Sequence, residues 1–289
     1  MQKLSRRHLL ASLGALGSSV WIAGCGGTAS SGVAGSSESA TAATSYIPRT
    51  IPPEESLAES ALSTPEHSPI GADWSYVRLD PLAVAKTAYQ IYPQGACMYS
   101  VFGSVMIELG KRAGEPFRSF PFQMMRYGAS GLGGWGSVCG MLNGAAALIG
   151  LFYPDDKDKD REELLTELCL WYETARLPMY EPEDCRDIGP IEPSTAGSVL
   201  CHISVNQWCK VNDCPAFDSR RSERCRRLST DGAIKVVEML NRDCPSAGDF
   251  LDISADTHGC IECHGRGELN NSLGRMSCVS CHDMGDGHP

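Results

Sequence analysis

The chain has 289 residues, with 25 Lys and Arg against 35 Asp and Glu, so its formal net charge is −10 at pH 7. Without the three basic residues of positions 1–24, 22 basic residues remain against 35 acidic ones, a charge of −13. This acidity argues against a nucleic acid partner. It favours a basic redox partner protein, although a need for solubility explains it equally well.

The N-terminus carries an export signal. The motif Ser5-Arg6-Arg7-His8-Leu9-Leu10 and the apolar run to Ala23 are typical of the twin-arginine (Tat) route. The next stretch, Ile22-Ala23-Gly24-Cys25, matches a lipoprotein box with Cys25 as the lipidated residue. The alternative is ordinary cleavage nearby, with Cys25 removed or unmodified. We therefore expect residues 1–24 to be a signal peptide and the protein to be periplasmic, soluble or anchored to the membrane by lipid.

Residues 25–75 are predicted to be a linker, because they are rich first in Gly, Ser and Ala and then in Pro. No later stretch has the roughly 18 uninterrupted apolar residues that a spanning helix needs. The remaining chain divides into a cysteine-rich part, residues 76–248, and a short C-terminal part, residues 249–289.

Helical periodicity dominates residues 76–248, and no segment alternates convincingly with a period of two, so the fold class is predicted to be mainly α. Asp80-Pro81, Ser137 and Ser194 are predicted to begin helices. The last predicted helix presents its Arg and Lys residues to solvent. The predicted helices are 82–92, 96–113, 138–152, 161–177, 194–211 and 219–241.

A glycine-rich stretch at 128–136 precedes Cys139 and allows close approach of the backbone. Cys139 is predicted to lie in the first turn of its helix, where free N–H groups and the helix dipole stabilise a thiolate.

Two CxxCH motifs close the chain: Cys260-Ile261-Glu262-Cys263-His264 and Cys278-Val279-Ser280-Cys281-His282. CxxCH is the attachment signature of haem c, in which both thiols bond to the porphyrin and the His ligates the iron. A zinc site or a dithiol redox pair would not explain why His follows the second Cys both times. Residues 249–289 are therefore predicted to bind two haems c, with little regular secondary structure of their own, because they contain few apolar residues.

Fourteen cysteines are present, of which four belong to the haem motifs and one to the possible lipoprotein box. The remaining nine are an odd number, so complete disulfide pairing among them is impossible. Disulfides are the default for an exported protein, and metal ligation is the alternative. These nine are Cys97, Cys139, Cys169, Cys185, Cys201, Cys209, Cys214, Cys225 and Cys244.

The chain resembles split-Soret cytochrome c, a dihaem protein of sulfate-reducing bacteria, over about residues 80–289. Its middle is similar to a wider redox-associated group named for a C–GCAxxG–C–C pattern. The matching stretches are Gly95-Ala96-Cys97, 136–145, Cys185, 201–205 and the two CxxCH motifs. One departure is Gly136-Ser137-Val138-Cys139, where the group has Gly directly before Cys. The resemblance implies a helical domain with an iron–sulfur site, a C-terminal haem domain, and a homodimer with bis-histidine haems and at least one axial ligand shared across the dimer.

For the iron–sulfur site we favour four cysteines, the usual number of thiolate ligands, with Cys209 and Cys225 in reserve. The alternative is that these cysteines are structural or form disulfides. The favoured set is Cys97, Cys139, Cys185 and Cys201.

The proximal haem ligands are predicted to be His264 and His282. Six-coordinate irons also need distal ligands, for which we favour His258 and His288 and place His202 third. His67 lies in a Pro-rich segment and is expected at the surface, and Met276 and Met284 are the only methionines near a distal position.

Three functions are compatible with these residues. The first is an electron carrier with two bis-histidine haems, which does no bond-making chemistry. The second is a reductase of a small oxyanion with one open haem and Arg266 or Arg275 beside it. The third is a thiol or metal redox protein in which the helical domain acts. We favour the electron carrier, working in anaerobic respiration, over an enzyme.

Overall fold

The computed structural model describes residues 74–153, 158–183, 189–242, 253 and 255–282. Within these ranges the fold is mainly α, as predicted, with one pair of two-residue strands. A 3-10 helix at Phe122–Gly128, which the sequence analysis did not predict, follows the first helix. The elements are α1 Pro81–Ala113, α2 Gly140–Phe152, α3 Asp158–Thr174, β1 Arg176–Leu177, β2 Ser194–Thr195, α4 Cys201–Asn212, α5 Arg220–Leu240 and α6 Ala255–His264.

Helix α1 is two helical segments joined at a kink. Its start is capped as predicted, because the Asp80 carboxylate accepts the Leu82 N–H at 3.0 Å and Pro81 occupies the first turn. The break lies at Ala96, whose backbone (φ 62°, ψ −152°) is not helical, three residues after Pro93. The predicted helices 82–92 and 96–113 are these two segments, and Cys97 opens the second one.

The core lies where α1, α2 and α5 meet. Apolar side chains such as Val84, Leu109, Leu148 and Val236 are completely buried there. Each contributes a few kcal/mol of burial free energy. This packing fixes the helices that carry the cysteines, so the positions of the thiols follow from the core.

Two predicted helix starts are wrong, and both errors have a local cause. Ser194 does not begin a helix, because Ser194–Thr195 pairs as a strand with Arg176–Leu177, and α4 starts only at Cys201. Ser137 does not cap α2, because its hydroxyl accepts the Leu132 N–H at 2.9 Å. Cys139 occupies the N-cap position instead.

Helix α5 lies where the sequence predicts it, but its basic residues do not all face solvent. Arg224 is only 2% exposed and lies in the interior. In the C-terminal part, regular structure within the described residues is confined to α6. No helix among the described residues is long and apolar enough to cross a membrane.

Candidate redox site

Four buried cysteines from four helices meet in the interior. The thiols form two pairs: Cys97 interacts with Cys225, while Cys139 interacts with Cys201. The two pairs also interact electrostatically with each other. The four cysteines form no disulfide bond in the structure. The site is therefore two adjacent thiol pairs, all less than 9% exposed.

The structure brings together three of the four cysteines predicted for this site and adds Cys225. The fourth predicted ligand, Cys185, lies outside the described residues and stays a prediction. Cys225 sits in the middle of α5 and was only a reserve candidate. The sequence indicates only that Cys225 lies on the apolar face of an arginine-rich helix. That position does not distinguish a metal ligand from a core residue.

The Cys139–Cys201 pair is positioned by backbone hydrogen bonds. Val138 and Leu200 form an isolated antiparallel bridge, in which the Cys139 N–H donates to Val199 O at 2.9 Å and the Cys201 N–H donates to Ser137 O at 2.8 Å. Helices α2 and α4 therefore begin side by side. Their N-terminal N–H groups converge on the thiols and favour a negative charge there.

Close backbone contact brings this pair to Cys97. A Cβ atom at Gly140 would overlap Gly128 O and would lie 3.0 Å from the Cys97 Cβ. Only glycine fits at this position, since any other residue would push α2 away from the 3-10 helix, and from Cys97 on α1.

The thiol pKa values differ within each pair. The pKa of Cys225 is lowered to about 5, mainly by its interaction with the Cys97 thiol and next by the Arg224 guanidinium. Burial opposes this change. Cys97 is the donor, so its pKa rises well above the usual value. Cys201 likewise lowers the pKa of Cys139 to about 7, and its own pKa rises. At neutral pH in the metal-free protein Cys225 is therefore mainly a thiolate and Cys139 is about half ionised, while Cys97 and Cys201 stay protonated.

Arg224 supplies a buried positive charge beside the thiols. Its guanidinium donates to the Ser204 hydroxyl at 2.7 Å and to the Cys225 sulfur at 3.8 Å. Its Nε is buried without a hydrogen-bond partner, and no carboxylate among the described residues forms an ion pair with it. A buried cation needs a compensating anion, and among the described residues the charge of the neighbouring Cys225 thiolate serves this purpose.

Two tyrosines border the thiols. The Tyr92 hydroxyl lies 3.8 Å from the Cys97 sulfur. The Tyr172 hydroxyl approaches Cys139 but forms no hydrogen bond of regular geometry, and it is buried. Burial raises the pKa of both phenols well above the usual value, so both stay neutral.

A second, separate thiol pair lies at the end of α4. Cys209 and Cys214 are half-buried and both line a cavity of about 430 Å³ with Lys210 and Asp213. Burial, and next the charge of Cys214, raise the pKa of Cys209. A thiol with a raised pKa is a poor nucleophile, which does not favour thiol exchange at this pair.

The two haem motifs lie next to each other. Helix α6 carries Cys260, Cys263 and His264, while the second motif forms a turn in which the His282 N–H donates to Cys278 O at 3.0 Å. Cys260 and Cys278, the first cysteines of the two motifs, interact with each other. Burial, followed by this interaction, raises the pKa of the Cys278 thiol.

Helix α3 joins the second motif to the thiol site. Arg275 donates to the Thr166 hydroxyl at 2.9 Å and lies 3.5 Å from the Glu162 carboxylate. The Glu173 carboxylate faces the N–H groups of Ser277 and Val199, while burial raises its pKa. The neighbouring Tyr172 faces Cys139, so one turn of α3 contacts both the haem segment and the thiols.

An apolar cavity of about 430 Å³ separates α3 from the segment just before Cys278. It lies beside the haem-attachment cysteine and has the apolar walls that a porphyrin requires. Its lining is mostly apolar and also contains four polar residues. The apolar residues are Leu165, Cys169, Leu170, Val199, Ile253 and Met276, and the polar ones are Glu162, Thr166, Glu173 and Arg275.

The structure describes two of the three candidate distal haem ligands, His202 and His258. The His202 ring lies near the start of α4, and its Nδ1 donates to Gly136 O at 2.9 Å. This bond leaves the Nε2 lone pair available to a metal. His258 is exposed on α6, two residues before Cys260. His288, His67, Met284 and Cys25 lie outside the described residues.

A helical domain with converging cysteines, followed by two CxxCH motifs, defines a redox protein of the c-type cytochrome class. Residues 96–239 match the family described as "Putative redox-active protein (C_GCAxxG_C_C)". The chain is 36% identical over 218 residues to split-Soret cytochrome c of Desulfovibrio desulfuricans, a match that covers 72% of this chain and 77% of that protein. The chain belongs to the split-Soret cytochrome c family.

A solved structure agrees with this assignment. It is that of the split-Soret cytochrome c from Desulfovibrio desulfuricans, described as having a novel iron centre. The TM-score is 0.66 at 34% sequence identity, and the match covers 75% of this chain and 92% of the other. The relative therefore contains both haem and a further iron centre.

Proposed function

We propose that this chain transfers electrons through two haems c and an iron–sulfur centre. The observation that carries the proposal is the pair of CxxCH motifs, whose first cysteines, Cys260 and Cys278, interact with each other. Haem c supplies reversible one-electron chemistry. Covalent attachment at adjacent cysteines keeps both sites close enough to exchange electrons within one chain.

In this proposal the haems are attached at Cys260 and Cys263 and at Cys278 and Cys281, with His264 and His282 as proximal ligands. His258 and His288 remain the favoured distal ligands. His202 gains support from its geometry, because its Nδ1 is already held by a backbone carbonyl while Nε2 is not. A distal ligand at the start of α4 would also place a haem beside the thiol site.

The four thiols fit an iron–sulfur centre in their chemistry. Among the described residues, no group of three or more His, Cys, Asp and Glu side chains is arranged to hold a single metal ion. Four cysteine thiolates are instead the usual ligand set of an iron–sulfur centre. The buried charge of Arg224 would offset the negative charge of such a centre. The proposed ligands are Cys97, Cys139, Cys201 and Cys225, and Cys185 remains an alternative.

We propose the same export and assembly as the sequence indicates. The Tat signal, with Cys25 as lipidation site, would place the protein in the periplasm, tethered to the membrane. The acidic chain would meet a basic redox partner, and the protein would act as a homodimer in anaerobic respiration. The Tat route supports a centre inserted before export, because it transports folded proteins.

The reductase alternative is less well supported by the structure. Arg275, one of its two candidate anion-binding residues, is engaged by Thr166 and Glu162 on α3. These contacts give Arg275 a structural role in holding the haem segment.

The test is a haem titration of the purified protein with added nitrite and sulfite. We expect two haems per chain, both low-spin, and visible spectra that neither anion changes. A high-spin haem whose spectrum shifts with either anion would replace the electron carrier with the reductase.

A further inference from the structure

The loop after the first haem motif folds back onto the proximal histidine. The Asn271 N–H donates to His264 O at 3.2 Å and the Ser272 N–H donates to the same oxygen at 3.0 Å. The Asn270 N–H donates to Gly265 O at 3.2 Å. These bonds hold Asn271 beside the ring of the residue that the motif assigns to iron.

The side chain of Asn271 also contacts that ring. Its Oδ1 lies 2.9 Å from His264 Nδ1. An amide oxygen only accepts, so Nδ1 carries the proton and Nε2 keeps its lone pair. The opposite amide orientation would leave Nε2 protonated and unable to bind metal, so iron ligation itself selects the observed orientation.

We propose that Asn271 is a positioning residue for the haem of the first motif and lowers its reduction potential. This inference rests on the proposed function. Histidines that bind metals commonly donate their second N–H to an oxygen acceptor, which fixes the tautomer and the ring plane and makes the imidazole a stronger donor. A stronger donor favours the ferric state. The haem of the second motif is an internal reference, because Asn271 follows the first motif.

The experiment compares N271L, N271D and wild type as full-length haem-loaded protein. Redox titration followed by visible spectra, together with EPR g-values, reports each haem separately. In N271L we expect the haem of His264 to become easier to reduce. At a fixed applied potential its reduced-to-oxidised ratio should rise about tenfold, which for one electron corresponds to a reduction potential about 59 mV higher. In N271D the negative acceptor strengthens the bond, so the potential of the same haem should fall.

A matched control separates this effect from disturbance of the loop. Asn270 has a positive φ of 53°, and its side chain accepts the Gly267 N–H at 3.0 Å without a described contact to His264. N270G keeps this backbone conformation and should leave both potentials unchanged. The proposal is overturned if N271L and N271D shift the potential in the same direction, or if N270G reproduces the shift. A wild-type protein without two low-spin haems would contradict the proposed function instead.

Discussion

Cys139 and Cys201 stand at the starts of two helices that begin side by side, joined by the hydrogen bonds of one antiparallel bridge. Their separation is therefore set by the backbone rather than by flexible side chains. Cys97 and Cys225 complete the site from α1 and α5, whose packing forms the core. The four thiols are thus preorganised by the fold, which would suit a redox site that must change charge without rearranging.

Replacing Cys225 by Ser should remove the iron–sulfur centre. The fourth thiolate is lost, and Ser is a poor ligand for iron in such clusters. We expect the non-haem iron and labile sulfide to fall to a small fraction of the wild-type content, while two haems remain. Iron, sulfide and haem analysis of protein purified without oxygen provides the measurement.

The control for this variant is Cys209→Ser, which removes a thiol of the separate pair at the end of α4. It should keep the full iron and sulfide content. If C225S keeps it as well, Cys225 is not a ligand, and the same assay on C185S would show whether the sequence prediction of Cys185 was right.

Gly140→Ala should destabilise the protein. The added Cβ would overlap Gly128 O and crowd Cys97, so α2 must shift away from the 3-10 helix and from α1. Overpacking of this kind costs about 1–3 kcal/mol. Denaturant unfolding gives the free energy, and Gly150→Ala is the matched control on the same helix. No atom lies within 4 Å of a Cβ at Gly150, so that change should be neutral or stabilise by up to about 1 kcal/mol.

Loss of stability in both variants would show that α2 is sensitive to any glycine replacement. Equal stability of G140A and wild type would contradict the close approach of α2 to the 3-10 helix at Gly128.

Asp231 should make the protein less stable as the pH rises. Burial raises the pKa of this carboxyl group to about 7, although the Met179 N–H donates to it at 2.8 Å. In the unfolded chain it ionises near pH 3.9, so between about pH 4 and pH 7 the folded state binds more protons. The stability that protonated Asp231 contributes to the folded state is therefore present at low pH and is lost as the pH rises through about 7.

Asp231→Asn tests this dependence, because it keeps an oxygen acceptor for Met179 without the ionisation. The difference in unfolding free energy, variant minus wild type, should grow between pH 4 and pH 8 by a few kcal/mol. A difference that stays constant over this range would show that the pKa of Asp231 is the same in the folded and the unfolded protein.

The distal ligands can be identified by comparing His202→Ala with His258→Ala. Loss of a distal imidazole leaves the iron five-coordinate, so one haem should become high-spin in the EPR spectrum. We expect this change in H258A, as the sequence indicates, and we expect it in H202A if α4 supplies a ligand to a haem. Two unaltered low-spin haems in a variant would exclude that histidine.

The sequence predicts a helix start well where a proline follows the capping residue. Asp80 and Pro81 begin α1, and the two predicted segments around Ala96 match its kink. Cys97, Cys139 and Cys201 were assigned to one site by the family pattern, and the fold brings them together.

The remaining features depend on contacts distant in sequence. Ser194 has a good helix-capping side chain, but pairing with Leu177 makes it part of a strand. Arg224 has no local signal of burial, since only the tertiary packing places it beside Ser204 and the thiols. Cys225 joins the site for the same reason, through the packing of α5 on α1.

EPR spectroscopy of oxidised and dithionite-reduced protein, purified without oxygen and analysed for iron and sulfide, tests the central claim most directly. We predict two low-spin ferric haems in the oxidised protein and a cluster signal in the reduced protein, with iron in excess of haem and matching labile sulfide. Iron equal to haem alone, with no labile sulfide and no cluster signal, would contradict the proposed iron–sulfur centre and return the four buried cysteines to a structural role.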